Sequence, residues 1–266
     1  MKRTVSAHLT FSVDSRADMV FAIAAALPGE GATLEESLAF VKDGVAIDPI
    51  ELGDLHGGRL HRFVSEPGEL VVDYRAEITG RSAPVAVDPL DLITYLRPSR
   101  YAESDLLLPT AQAEFAGLSG RDLLAGVSSW VGSQLRYVPG SSEPTDGARD
   151  TLLDRRGVCR DYAHLCIALL RALDVPARLV SAYAPGLDPM DFHAVAEAYV
   201  DDQWHVVDAT TLAPRQSLVR IATGRDAADT AFLSNHWGLV SVTRMEVTAT
   251  VDELPTDDVR DLVTLG

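Results

Sequence analysis

The chain has 266 residues, 47% of them apolar and 23% charged, and a formal net charge of −16. That apolar content suffices for one large domain or two smaller ones, and no segment approaches the roughly 18 uninterrupted apolar residues of a membrane span. The acidic balance argues against nucleic acid, whose phosphates need a basic face, so neither membrane nor nucleic acid is expected as a partner. The opening residues, Met1 to His8, carry charge with no apolar run behind it, and the two cysteines, Cys159 and Cys166, lie on one predicted helix where they cannot pair. Both features fit reduced thiols in the cytoplasm.

From Thr4 to about Val87 the pattern is of strands. Val5, Ala7, Leu9, Phe11 and Val13 alternate with polar or small residues, the period of a half-buried strand. Met19 to Ala25 is ambiguous between helix and strand, and its neighbours favour strand. Further runs lie at Ser37 to Val41, Arg59 to Val64 and Glu69 to Ile78, separated by turn chemistry at Pro28-Gly29-Glu30-Gly31, Asp43-Gly44, His56-Gly57-Gly58 and Pro67-Gly68. Short strands at this spacing predict a β-sandwich-like unit over 1–88 that serves as scaffold. Asp54, His56 and His61 are conceivable as a metal set, but turn and strand-surface positions account for them better. No metal or other cofactor is expected.

Pro84, Pro89 and Pro98 punctuate a connection, and a core unit is placed at 89–251 with an acidic tail at 252–266. A helix is predicted from about Gly120 to Gln134, with Leu123, Leu124, Val127, Trp130 and Val131 on one face and Ser119 as its cap. Ser141 to Gly147 reads as loop.

The stretch Arg155 to Cys166 then delivers a cysteine to the start of a buried helix. Ala163, Cys166, Ile167 and Leu170 recur at helical spacing, Leu165, Leu169 and Leu173 widen the stripe, and Asp174 and Pro176 end it. Unpaired N–H groups and the positive end of the helix dipole favour a thiolate at the first turn, with Arg155, Arg156 and Arg160 adding positive charge. Cys159 is therefore the candidate nucleophile, and Cys166, inside the apolar stripe, is a small hydrophobe.

After a strand at Ala177 to Tyr183, two more form a hairpin. In His193 to Val200 the side chains of His193, Val195, Glu197 and Tyr199 share one face, and Gln203 to Asp208 is the return strand. A two-residue turn at Asp201-Asp202 places Val200 opposite Gln203 and Asp208 opposite Val195. Asp208 then lies diagonal to His193 on the same face, about 7–8 Å away at the backbone, within reach of an imidazole. An odd-length turn would separate them. An imidazole held by a carboxylate through one nitrogen can take the Cys159 proton at the other and return it to a leaving amine, the logic of a Cys-His-Asp triad. The Cys159 N–H is one oxyanion donor, and Trp130, Gln134 and Tyr137 are candidates for a second. His164 is expected to be packed on the helix, His205 to face away from Asp208, and His236 to lie in a polar loop.

These residues resemble the transglutaminase-like superfamily in its bacterial branch: Gly157 to Leu165 followed by Leu169 to Arg178, then Asp191-Phe192-His193-Ala194 with Glu197, then Trp204 with Asp208-Ala209-Thr210. The likeness covers about residues 93–250, and the strand-rich first part is similar to the domain that often precedes this core. It implies an α+β fold with a papain-like core, catalytic Cys159, His193 and Asp208, and thioester chemistry of the kind used by acyltransferases, peptidases and amidases. Arg160 stands where animal transglutaminases usually have Trp, Ala209 where Pro is frequent, and calcium-binding regions have no counterpart, so neither calcium dependence nor cross-linking is expected. The expected activity is attack of Cys159 on an amide carbonyl of a polypeptide or small amide substrate, with transfer of the acyl group to water or an amine. The alternative is a catalytically silent binding or scaffold module.

Overall fold

A computed structural model describes residues 1–84 and 86–266; Val85, within the stretch read as strands, lies outside the described residues. The first part contains β1 (Lys2–Val13), β2 (Ala17–Phe21), β3 (Ala32–Lys42), β4 (Val45–Ile47), β5 (Ile50–Gly53), β6 (Arg59–Ser65) and β7 (Gly68–Gly80). The alternation in β1 buries Val5, Ala7, Leu9, Phe11 and Val13, while the intervening residues stay at least partly open, Arg3 near the strand's start apart. Phe11, Phe21, Phe40 and Phe63 meet at ring-centroid distances of 5.3–5.8 Å and fill the space between two sheets. Such aromatic pairs add to the hydrophobic gain of their burial.

The core begins with α1 (Pro89–Thr94), α2 (Ser104–Phe115), α3 (Gly120–Gln134), β8 (Arg136–Tyr137), α4 (Ala148–Asp154), β9 (Arg156–Gly157) and α5 (Cys159–Ala172). It continues through β10 (Ala177–Tyr183), β11 (Phe192–Val200), β12 (Gln203–Val207), β13 (Val219–Gly224), α6 (Ala227–Thr230), β14 (Leu233–His236) and β15 (Val240–Val251). An antiparallel sheet of order β12-β11-β10-β13 backs α5. Ala196 and Ala198 of β11 share a core with Leu165, Cys166, Ile167, Leu169 and Leu170 of α5, and small strand side chains let the helix lie close. α2, α3 and α4 also pack on α5, which is buried from Asp161 to Arg171. Among the described residues no helix is long and apolar enough to cross a membrane. The architecture is the expected α+β one, a β-sandwich joined to a core in which the cysteine helix packs on an antiparallel sheet.

Several elements depart from the sequence reading. β14 and β15, assigned to the core, instead pair with β2 and β1, giving sheets of order β14-β2-β6-β5 and β15-β1-β7-β3-β4. The region around 212–226 contains β13, a strand not anticipated because its short run is mostly buried and so shows no alternation. α2 was not anticipated, because its buried residues, Ser104, Leu107, Ala111 and Phe115, are too mixed in character to make an apolar stripe. Ser119 sits at the start of α3 without a side-chain capping bond. The acidic tail packs against the core: Val263 and Leu265 are buried, Val206 N–H donates to the Val263 carbonyl (2.8 Å), and buried Arg215 pairs with Asp257 at 2.8 Å.

The sandwich and the core sheet share one hydrophobic cluster, in which Tyr183, Val219, Ile221 and Ala222 join the residues of β1 and β2. Tyr183 Oη donates to the Ile23 carbonyl (2.8 Å), and Ala26 N–H donates to the Arg220 carbonyl (2.8 Å). Beside this seam Glu197 is buried between Arg178 (2.8 Å) and Arg220 (2.6 Å), and the Arg178 guanidinium lies 3.9 Å from the Trp204 ring centroid. Burial alone would raise the Glu197 carboxyl, but Arg220 and Arg178 overcome it and lower the pKa to about 2. Glu197→Gln leaves two buried cations short of a partner and is expected to cost about 3–5 kcal/mol in urea denaturation at neutral pH. A carboxylate held below its ordinary value stabilises above that value and ceases to as pH falls through its folded pKa. The wild-type advantage should therefore shrink between pH 4.5 and about 2.

Candidate active site

The cysteine is positioned by the loop that enters α5. β8 and β9 run parallel, with Tyr137 opposite Gly157, and Val138 N–H donates to the Gly157 carbonyl at 3.0 Å. At the helix start the Asp161 carboxylate turns back to accept from Val158 N–H (2.8 Å), satisfying a backbone donor that the helix leaves unpaired. Only a residue lacking a side chain fits at 157, where a Cβ would stand 2.6 Å from Cβ of Asp161. Asp161 also accepts from Ser142 Oγ (2.8 Å), and Arg160 donates to Ser142 Oγ and to the Glu143 carbonyl, both at 2.6 Å. Arg160, which departs from the Trp of animal relatives, thus ties the 141–147 loop to the helix start. Its charge is balanced by Asp161 (3.3 Å), so it adds less positive field at Cys159 than the sequence alone implies.

The hairpin closes through Asp201 and Asp202, both at positive φ (51° and 62°), as a two-residue turn of the kind that suits strand twist. Val200 pairs with Gln203 and Ala196 with Val207, which extends to Val195 opposite Asp208. His193 and Asp208 accordingly share a face, and Nε2 of His193 donates to Oδ2 of Asp208 at 2.8 Å. The other carboxylate oxygen accepts from Thr210 N–H (2.9 Å) and Thr210 Oγ1 (2.7 Å). Thr210 was quoted only within the family motif; the sequence signal for its bonds is the Asp-x-Thr spacing of a side-chain-closed turn. Behind this turn Ser128 Oγ donates to the Asp208 carbonyl (3.2 Å), and Gly132 lets α3 approach, since a Cβ there would lie 2.7 Å from the Ala209 carbonyl oxygen.

Burial disfavours charge on both His193 and Asp208, yet each stabilises the charged form of the other. The Asp208 charge and hydrogen bond, with a smaller part from Cys159, raise the His193 pKa to about 10, while Asp208 is lowered below its usual range. His193 Nδ1 is buried without a well-formed hydrogen bond and is left for Cys159, which lines the same cavity and is partly exposed. Cys166 is fully buried, and desolvation pushes its thiol well up.

Of the three candidates for a second oxyanion donor, Trp130 is engaged elsewhere, its Nε1 donating to Glu114 (2.9 Å), and Gln134 is tied through its amide oxygen to Arg155. Tyr137 stands opposite Gly157, two residues before Cys159, and burial followed by the Cys159 charge raises the pKa of its hydroxyl. His164 is packed as expected, accepting from Ala227 N–H (3.1 Å) and stacking on Tyr101. His205 pairs with Ala198 on the face away from Asp208, and His236 lies on β14 opposite Asp18 rather than in a loop. His56 and His61 are not surface residues. His56 is 3.1 Å from Asp91, His61 is 3.1 Å from Glu51, and among the described residues no group of three or more His, Cys, Asp or Glu could hold a metal ion.

The model of the transglutaminase-like superfamily core matches residues 119–209, the span that carries Cys159, His193 and Asp208. Over nearly its whole length the chain is similar to the crystal structure of a candidate cysteine protease from Cytophaga hutchinsonii, with 35% identity, a TM-score of 0.87, and coverage of 98% of this chain and 96% of the other. The chain belongs to the transglutaminase-like superfamily. Two mycobacterial proteins, both uncharacterised, are also similar to this transglutaminase-like chain. One from Mycobacterium leprae is 28% identical over 50% of this chain and 51% of its own length, and one from Mycobacterium tuberculosis is 34% identical over 41% and 39%. The chain thus aligns with about half or less of those relatives.

In NMR titration the His193 ring of this transglutaminase-like protein should stay protonated through neutral pH and titrate near 10, and in Asp208→Asn it should titrate several units lower. A histidine raised above its ordinary value stabilises the fold below pH 6.5 and stops doing so as pH rises through its folded pKa. The wild-type stability advantage over Asp208→Asn should therefore decline from pH 6.5 toward 10.

Proposed function

We propose that the protein is a thiol-dependent amide or peptide bond hydrolase working through a Cys159 thioester, with His193 as proton carrier and Asp208 as its positioning partner. The observation that carries this reading is the His193 ring, held at Nε2 by a fully engaged carboxylate while Nδ1 remains open toward a partly exposed cysteine at a helix start. In this reading the thiol proton rests on His193 Nδ1. The Cys159 sulfur attacks the amide carbonyl carbon, and the resulting oxyanion is met by the Cys159 N–H and the Tyr137 O–H. As the tetrahedral species collapses, the C–N bond breaks and His193 gives its proton to the leaving amine. Water then loses a proton to His193 and attacks the thioester carbonyl, and the released sulfur regains its pairing with the imidazolium. An amine in place of water gives acyl transfer. Hydrolysis is the favoured outcome, supported by the similarity to the Cytophaga hutchinsonii candidate cysteine protease. The free state of both cysteines supports a reducing, cytoplasmic setting.

Peptide mass mapping after timed alkylation tests the nucleophile. Cys159 should label much faster than buried Cys166, and His193→Ala should slow it. Labelling of Cys159 no faster than Cys166 would leave the chain a silent member of its superfamily. For any amide that the wild type turns over, Tyr137→Phe should lower kcat by about 10²–10³ with little change in KM, the loss expected when one oxyanion donor is removed.

A further inference from the structure

Cys159 and His193 open into a cavity of about 370 Å³ whose wall is largely apolar. Leu179, Phe192, Ala194, Ile221 and Phe232 line it, and Ala22, from the stretch that follows β2, adds a piece of the sandwich to the wall. The polar residues on the wall are few, and most make contacts within the protein. Arg160 is taken up by Ser142, the Glu143 carbonyl and Asp161. Ser181 Oγ accepts from Ala222 N–H at 3.2 Å, Thr230 Oγ1 donates to the Asp226 carbonyl at 3.5 Å, and Tyr101 stacks on His164. No carboxylate is among the described residues that line the cavity.

We infer that this cavity is the pocket for the side chain of the residue whose carbonyl Cys159 attacks, and that it selects a medium to large apolar side chain such as leucine or phenylalanine. The inference rests on the reading of Cys159 as the attacking group and adds the substrate class. A glutamine, glutamate or lysine side chain entering this space would leave water for a wall that is largely apolar, and a polar group buried without a hydrogen bond is disfavoured. An apolar side chain gives up no hydrogen bond on entry, and each methylene it places in such a pocket changes discrimination by about tenfold or more. The sandwich thereby has a part in recognition through Ala22, at the same seam where Tyr183 and Ile221 join the two halves.

Binding to Cys159→Ala separates recognition from chemistry. Ligand-observed NMR titrations with N-acetyl amino acid methylamides should give at least tenfold tighter binding for the leucine and phenylalanine compounds than for those of glutamine, glutamate and lysine. Ala231 lies on the exposed rim of the cavity, so Ala231→Trp introduced beside Cys159→Ala should obstruct it without disturbing the core. Leucine and phenylalanine binding should then fall at least tenfold, with an unchanged thermal midpoint. Ala227→Leu, also on the rim, serves as the second obstruction if the tryptophan variant is unstable. Equal or tighter binding of the glutamine, glutamate or lysine compound would overturn the inference, as would absence of leucine binding or persistence of the preference in both obstructed variants. Failure of the wild type to turn over any amide would count against the hydrolase reading while leaving this binding result to stand or fall by itself.

Discussion

The close seating of α5 on the alanine face of β11 is the constraint on which the rest of the molecule depends. A helix that is apolar on nearly every side has to be covered on every side, and the sheet, α2, α3 and α4 do this together. Once seated, the helix leaves N–H groups unpaired at its amino end and carbonyls unpaired at the other. At the amino end Asp161 accepts from Val158 N–H, and near the other end the Arg171 side chain ties the helix to its surroundings by donating to the carbonyls of Ala177 (2.8 Å), Arg97 (3.0 Å) and Arg225 (2.7 Å). Cys159 stands at the one end of this helix that faces a cavity, so its position follows from how the core is filled.

Two buried ion pairs are anchored on β11, one through Glu197 and one through His193, and they are balanced differently. Glu197 lies between two arginines, so the group is satisfied at the cost of desolvating three ions, an arrangement more demanding of geometry than an apolar core would be. Asp208 has one cationic partner, and Thr210 completes its hydrogen bonding. Both carboxylate oxygens of Asp208 are thus engaged, and the His193 ring is held at one edge with its other nitrogen buried. Arg160 and Ser142 extend the same principle to the loop above the helix start, since Asp161 serves the helix and the loop at once.

The sandwich and the core are joined by more than chain connection. β14 and β15 leave the core to complete the two sheets of the sandwich, while Tyr183 and Ile221 of the core sheet lie in the sandwich's own hydrophobic cluster. Ala22 and Phe232 meet at the cavity from the two sides of this exchange. The site therefore has one wall that the 119–209 segment does not contain.

What was legible in the sequence was local. The central helix, the α3 span from Gly120 to Gln134, the strands of the first eighty residues and the hairpin that brings His193 to Asp208 are each set by periodicity, turn chemistry or a spacing of a few residues. The expected diagonal pairing of His193 with Asp208 followed from the length of one turn. What could not be read was the pairing of segments far apart in the chain. β15 alternates as strongly as β1, but alternation does not say that Val247 lies opposite Ala7. β13 is mostly buried and has no period to read, and the tail is ordered only because Arg215 and β12 meet it. Trp130, Gln134 and Tyr137 were equal candidates until the parallel pairing of β8 with β9 put Tyr137 beside Cys159. The sequence by itself determined the local elements, with Cys159 at a helix start and His193 beside Asp208 on one face, because those depend on neighbours within a turn or a hairpin. Only the tertiary structure decided the partners of the last strands, the placing of Tyr137 near the helix start and the apolar cavity, because long-range contacts are chosen by shape and burial that no local pattern encodes.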